Sequence, residues 1–169
     1  MLCFIEIFLL KIGLIINNAS IFPKINFTDT TLNDLEQNFK IHLFSPFILT
    51  QLLSKENKYG HVINIVDNAV YNNDTDYFAY LLSKKSLLDF TKMAARDLGP
   101  NIRVNAIAPG STANPIDATD NTYMKLRANQ IPLKMEGSPD YLNQGIKYLL
   151  ENEFVTGQCL VIDGGASLL

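Results

Sequence analysis

HVINIVDNAVYNNDTDYFAYLLSKKSLLDFTKMAARDLGPNIRVNAIAPG, residues 61–110, decides the fold. It opens on a β-branched run, residues 61–66, of the kind that a parallel sheet buries on both faces. A long helical pattern follows over residues 77–98, with Thr75 or Asp76 as its cap and Gly99-Pro100 as its stop. A second apolar run, residues 102–108, is broken by Pro109-Gly110. Strand, helix and strand in that order predict a β-α-β unit and hence a parallel sheet.

On the N-terminal side, residues 13–16 read as a strand ending at Asn17-Asn18. Thr31 and Asp34 form a capping box for a helix with Leu32, Leu35, Phe39 and Leu43 on one face. Pro46 is expected to kink or end the regular part of that helix. On the C-terminal side, residues 111–137 lack strong periodicity and read as an excursion with a short helix around residues 123–129. A segment of that length in a compact domain is usually a lid or binding loop. Ser138-Pro139 opens a further helix, and residues 158–162 are a last strand before Asp163-Gly164-Gly165. The predicted class is α/β, with a parallel sheet of about four strands. Ligands of such sheets lie outside the carboxyl ends of the strands, which here are followed by small or polar residues.

Composition bounds the function. The chain has 169 residues, 47% hydrophobic and 18% charged, enough for one well-packed domain and too apolar for disorder. A net charge of −3 without a basic run excludes nucleic acid as the main partner. The two cysteines, Cys3 and Cys159, form no metal or redox spacing, which excludes a disulfide framework and a zinc knuckle. Of the nine glycines, no two lie closer than seven residues apart except Gly164-Gly165, so no Gly-rich phosphate loop can be written. Residues 1–12 belong to an atypical apolar start, MLCFIEIFLLKIGLII. It lacks a positive leading region, and Glu6 and Lys11 interrupt it, so a buried element is favoured over a targeting or membrane segment.

Tyr80 and Lys84 stand four apart on the long helix and share a face. An ammonium near a phenol favours the phenolate, which lowers the phenol's pKa from about 10 toward a range useful for proton transfer. Taken alone the spacing carries little, because simple counting of tyrosines and lysines expects roughly 0.5 such pair by chance. Asp67 follows a strand thirteen residues before Tyr80, and that context changes the weighing.

NNAS at 17–20, VINIVD at 62–67, YLLSK at 80–84, IRVNAIAPG at 102–110 and TGQCLVIDGG at 156–165 resemble, in that order, the short-chain dehydrogenase/reductase family. The resemblance runs from about Gly13 to Leu169. It implies a Rossmann-like doubly wound parallel sheet, N-terminally truncated, and hydride transfer between a nicotinamide cofactor, NADP(H) or NAD(H), and a carbonyl-type substrate. Where most of the family has serine this chain has Asp67, and Phe22 stands two after Ser20. Both features are similar to the pteridine reductase branch, which includes dihydromonapterin and dihydrofolate reductases. There an aspartate orients the tyrosine and a phenylalanine stacks on the pterin. The resemblance implies Tyr80 as proton donor, Lys84 as the lysine that tunes it and holds the nicotinamide ribose, and Asp67 as their aspartate. It places Asn18 and Ala19 along the cofactor, Ser20, Phe22 and Asp67 at the substrate, and Pro109, Gly110 and Thr112 at the nicotinamide carboxamide. His42 stands where the family usually has asparagine.

The resemblance also implies an opening third, a strand, a Gly-rich turn and a helix that grip the cofactor pyrophosphate. The 169 residues read as the later two-thirds, residues 13–169, with cofactor binding expected to be compromised. The expected partners are a small-molecule substrate and a second copy of the chain, as homodimer or homotetramer through helices 32–53 and 76–98. Neither nucleic acid nor membrane is expected, and the expected location is the cytoplasm. The alternatives are an inactive remnant of such a reductase and an enzyme acting on 3-oxoacyl carrier substrates, which would favour serine at position 67.

Overall fold

The computed structural model describes residues 13–56, 59–73, 76–115, 120 and 122–169. The apolar start at residues 1–12 and the candidate cap Thr75 lie outside the described residues.

Four strands form one parallel sheet in the order of the chain. They are β1 (Leu14–Asn17), β2 (Gly60–Ile65), β3 (Ile102–Pro109) and β4 (Cys159–Ile162). Parallel neighbours need crossovers. The first crossover is α1 (Leu32–Phe39), a five-residue π-helical turn and α2 (Ser45–Glu56). The second is α3 (Phe78–Leu98), and the third is α4 (Thr122–Gln130) with α5 (Pro139–Glu151).

The sheet is covered on both faces, and the period of two along its strands shows how. Val62 and Val104 are fully buried in a cluster with Leu53 of α2 and Ala94 and Ala95 of α3. Their neighbours Ile63 and Ile107 point the other way, into a cluster with Leu149, Leu142 and Ile146 of α5. Each such side chain contributes about 1.5–3 kcal/mol by leaving water. Helices on opposite faces of a parallel sheet make the doubly wound arrangement expected from the sequence.

Local signals placed most helix ends. Thr31 accepts from the Asp34 N–H while the Asp34 carboxylate accepts from the Thr31 N–H at 2.9 Å, completing the capping box. Ser138 caps α5 at the Asp140 N–H, with Pro139 in the first turn. One expectation changes. Asp76 does not cap α3; Tyr77 takes that position without a side-chain bond, and Asp76 pairs with Lys24 at 3.1 Å. Ahead of Pro46 the regular part of the helix ends near the middle, as expected. Proline has no N–H for the carbonyl four residues back, that of His42. The chain accommodates this by widening into the π turn Lys40–Phe44, where the Ser45 N–H reaches the Lys40 carbonyl, and then continues as α2.

Candidate active site

β2 ends at Ile65, and Asp67 caps the short 3-10 turn Asn68–Tyr71 by accepting from the Ala69 N–H at 2.8 Å. That bond fixes one carboxylate oxygen. The other accepts from the Tyr80 hydroxyl at 2.7 Å. Tyr80 sits in the first turn of α3 and is only 6% exposed. One turn on, Lys84 is buried, with its Nζ 5.7 Å from the centre of the Tyr80 ring. Its ammonium donates to the Ile65 carbonyl at 2.8 Å. The structure therefore brings Asp67, Tyr80 and Lys84 together at the carboxyl end of β2.

The electrostatics of this trio correct one expectation. Burial and then the adjacent Asp67 carboxylate push the Tyr80 phenol far above its ordinary value near 10. The carboxylate is in direct hydrogen-bond contact with the phenol, while the ammonium is directed to a backbone carbonyl. The closer negative charge wins, so the net shift of the phenol is upward despite the nearby Lys84 ammonium. Burial draws Lys84 down to about 8, against the upward pull of Asp67. Below that pH the ammonium remains the major form.

The segment after β1 closes over this trio. Phe22 lies edge-on to Tyr80, with ring centres 4.5 Å apart, and stacks on Tyr77 at 4.2 Å and 9°. It is 58% exposed, so it keeps an open apolar surface beside the Tyr80 ring. Ser20 bonds to His42 Nε2 at 2.9 Å. His42 is 1% exposed, edge-on to Tyr80 at 5.4 Å, and is held neutral by burial and the Lys84 charge, which bring it down to about 4. Asn18 and Ala19 are exposed at the end of β1. Asn17, one residue earlier, donates to Asn64, which donates to Thr91 of α3, tying three elements beneath the site.

Sequence reasoning missed Tyr77, Ser83, Asn64 and Thr91. Tyr77 and Ser83 flank Tyr80 at helical spacing, and that position was the available signal. Asn64 and Thr91 carry no local signal, since their partners lie 47 and 27 residues away.

Pro109 ends β3, and the Gly110 N–H continues the ladder to the Ile162 carbonyl at 2.9 Å. A side chain on Gly110 would meet the Asp163 backbone at 2.9 Å, so these two strand ends approach as only glycine allows. Asn68 reaches the same turn by donating to Asp163 at 3.3 Å. Ser111 and Thr112 line a cavity of about 550 Å³ with Met124 and Arg127 of α4 and Ile131, while Asp67, Tyr80 and Lys84 lie outside its lining. Among the described residues no group of His, Cys, Asp and Glu is placed to hold a metal ion. Among them, too, no helix is long and apolar enough to cross a membrane.

The residues present fit the nicotinamide-ribose end of a dinucleotide. The buried Lys84 ammonium has one bond to a carbonyl and further hydrogens for hydroxyl groups. At the end of the neighbouring strand, residues 109–112 offer backbone groups and the Thr112 hydroxyl.

The family model described as enoyl-(acyl carrier protein) reductase matches residues 6–167. The chain is 30% identical over 161 residues to a 3-oxoacyl-[acyl-carrier-protein] reductase of Aquifex aeolicus, covering 91% of this chain and 65% of that protein. It is 31% identical over 144 residues to a dihydromonapterin reductase of Klebsiella pneumoniae, covering 82% of this chain and 58% of that protein. The crystal structure of the alternative dihydrofolate reductase FolM from Brucella canis, complexed with NADP, superposes with a TM-score of 0.84 at 34% identity. That match covers 93% of this chain and 63% of that one. The chain thus spans about three-fifths to two-thirds of the length of these relatives. The chain belongs to the short-chain dehydrogenase/reductase family of oxidoreductases and resembles its pteridine reductase-like branch.

Proposed function

We propose that this chain carries the proton-transfer site of an NADP(H)-dependent reductase of pterin-type rings, with Tyr80 as proton donor. The observation that carries the reading is the 2.7 Å hydrogen bond from the Tyr80 hydroxyl to the Asp67 carboxylate. A hydroxyl at position 67 would orient the phenol and do no more. A carboxylate there also takes up and passes on a proton, which suits a ring nitrogen that is protonated as the adjacent carbon is reduced. When bound, the cofactor supplies the hydride. Tyr80 gives its proton to the substrate nitrogen, the Lys84 ammonium stabilises the phenolate left behind, and a proton entering by way of Asp67 restores the phenol. Phe22 offers its open surface to the flat ring, a contact of about 1–3 kcal/mol by analogy with base–aromatic stacking. Ser20 borders the same substrate space. Lys84 holds the nicotinamide ribose, Asn18 and Ala19 flank the cofactor, and Pro109, Gly110 and Thr112 hold the carboxamide.

The test is NADPH oxidation by the purified chain with dihydromonapterin, dihydrofolate and a 3-oxoacyl thioester. Turnover of a pterin is the expected result, and a folded chain that turns over neither pterin overturns the reading. Asp67→Ser is expected to lower pterin turnover about 100-fold, the low end for a lost proton-transfer partner. A 3-oxoacyl substrate would instead be unaffected or improved by that change. The similarity to a 3-oxoacyl-carrier reductase supports this second reading, and the Asp67→Ser comparison separates the two.

The same reading includes self-association through α1–α2 and α3, supported by apolar side chains that these helices leave exposed: Phe47, Ile48, Leu82 and Met93. Light scattering is expected to give a dimer or tetramer, and a clean monomer would remove the proposal.

A further inference from the structure

We infer that His42 is a positioning residue, fixed as its Nδ1–H tautomer, that ties the segment Ser20-Ile21-Phe22 to the turn of α3 bearing Tyr80. Its bearing on catalysis rests on Tyr80 being the proton donor.

Two hydrogens of known direction determine the tautomer. The Ile21 N–H points at His42 Nε2, at 3.2 Å, so Nε2 is an acceptor. On the other side of the ring, Ser83 Oγ lies 2.8 Å from Nδ1. The single Ser83 hydroxyl hydrogen is given to the Tyr80 carbonyl at 2.6 Å, so Ser83 is an acceptor toward the imidazole. Nδ1 therefore carries the hydrogen. A neutral imidazole has one N–H, and both contacts demand it at the same nitrogen. A second proton on Nε2 would face the Ile21 N–H, and burial together with the Lys84 charge opposes it as well.

The result is a continuous chain of bonds from the Ile21 N–H through His42 and Ser83 to the Tyr80 carbonyl. His42 and Ser83 are both buried, at 1% and 0% exposure, so the bonds from His42 to Ser83 and from Ser83 to the Tyr80 carbonyl are protected from competing water. Ser20 gains as well. Its hydroxyl lies 2.9 Å from Nε2 and 3.3 Å from the Ile21 carbonyl, and both are acceptors for its one hydrogen. Its lone pairs are left for the cleft. Phe22 follows directly in the anchored segment, which fixes its ring against Tyr80 at 4.5 Å. The π turn that Pro46 imposes contains His42, so the irregular stretch of the helix is the one that supplies the anchor.

The test uses the full-length, 15N-labelled chain without ligand. The sequence has two histidines, and His42→Gln assigns their signals in a long-range proton–nitrogen spectrum at neutral pH. His42 is expected to show a protonated Nδ1 and an acceptor-type Nε2. The Ile21 amide is expected to exchange about tenfold or more faster in His42→Ala while amides of β3 keep their rates. His42→Gln, which keeps one acceptor and one donor, is expected to restore most of that protection. A protonated Nε2, or an Ile21 amide indifferent to His42→Ala, overturns the inference. If His42→Ala does not fold, the tautomer of the unmodified chain decides. Neither readout depends on turnover, so a failed pterin assay leaves this result standing and counts only against the assigned reaction.

Discussion

Tyr80→Phe is expected, on the proposed reading, to cut pterin turnover by about 100- to 10,000-fold, the range for losing a positioned general acid. The substitution removes one oxygen and keeps the ring. The edge contacts with Phe22 and His42 therefore survive, as does the Asp67 cap on the Ala69 N–H. Asp67 loses its contact with the phenol, at a cost of about 1.5–3 kcal/mol in stability, the usual range for a hydrogen bond to a charged group. Urea unfolding separates that modest loss from the kinetic one. NADPH oxidation with dihydromonapterin measures the kinetic effect, and a rate within a few-fold of the unmodified chain removes Tyr80 as the donor. The uncharged phenol favours this role, because burial and Asp67 keep the proton on the oxygen throughout the neutral range.

A second large effect is expected in the response of the fold to acid. His42 and His61 are both nearly inaccessible, at 1% and 5% exposure, and both are drawn from 6.5 to about 4. Burial is the main cause in each, followed by the Lys84 charge at His42 and the Arg103 charge at His61. Donors face both nitrogens of His61, from Arg103 at 3.1 Å and Asn105 at 3.0 Å. The unfolded chain takes up protons as the pH falls below 6.5, while the folded chain resists until about 4. Stability is therefore full above pH 6.5 and falls between 6.5 and 4, by about 3 kcal/mol for each histidine at the limit. A series of urea midpoints from pH 7.5 to 4.5 measures the slope, and His42→Gln is expected to flatten it by roughly half. A midpoint that does not move between pH 6.5 and 5 rules the effect out.

Much of the fold was legible because its signals are local. The β-branched run before Asp67 and the apolar run before Pro109 give strands, and the pattern between them gives α3. Thr31 with Asp34 and Ser138 with Pro139 start helices through bonds that span two or three residues. Pro46 interrupts the regular helix, which widens by one residue per turn before it. The helix cap failed where the environment offered another choice: Asp76 finds Lys24 rather than the helix N-terminus.

Within the site, the sequence by itself determined the set: Tyr80 and Lys84 on one helical face, with Asp67 at the end of the preceding strand. Spacing along a helix is a covalent property, and so it can be read from the chain. The charge state of that set was decided by tertiary structure alone. Asp67 reaches the phenol across thirteen residues, Lys84 turns to the Ile65 carbonyl, and burial removes the water that would weaken both effects. The same holds for Phe22 on Tyr77 and for His42 between Ile21 and Ser83, whose partners are 21 and 41 residues away. Direction of hydrogen bonds and exclusion of water depend on which segments meet, and that is settled only when the chain packs.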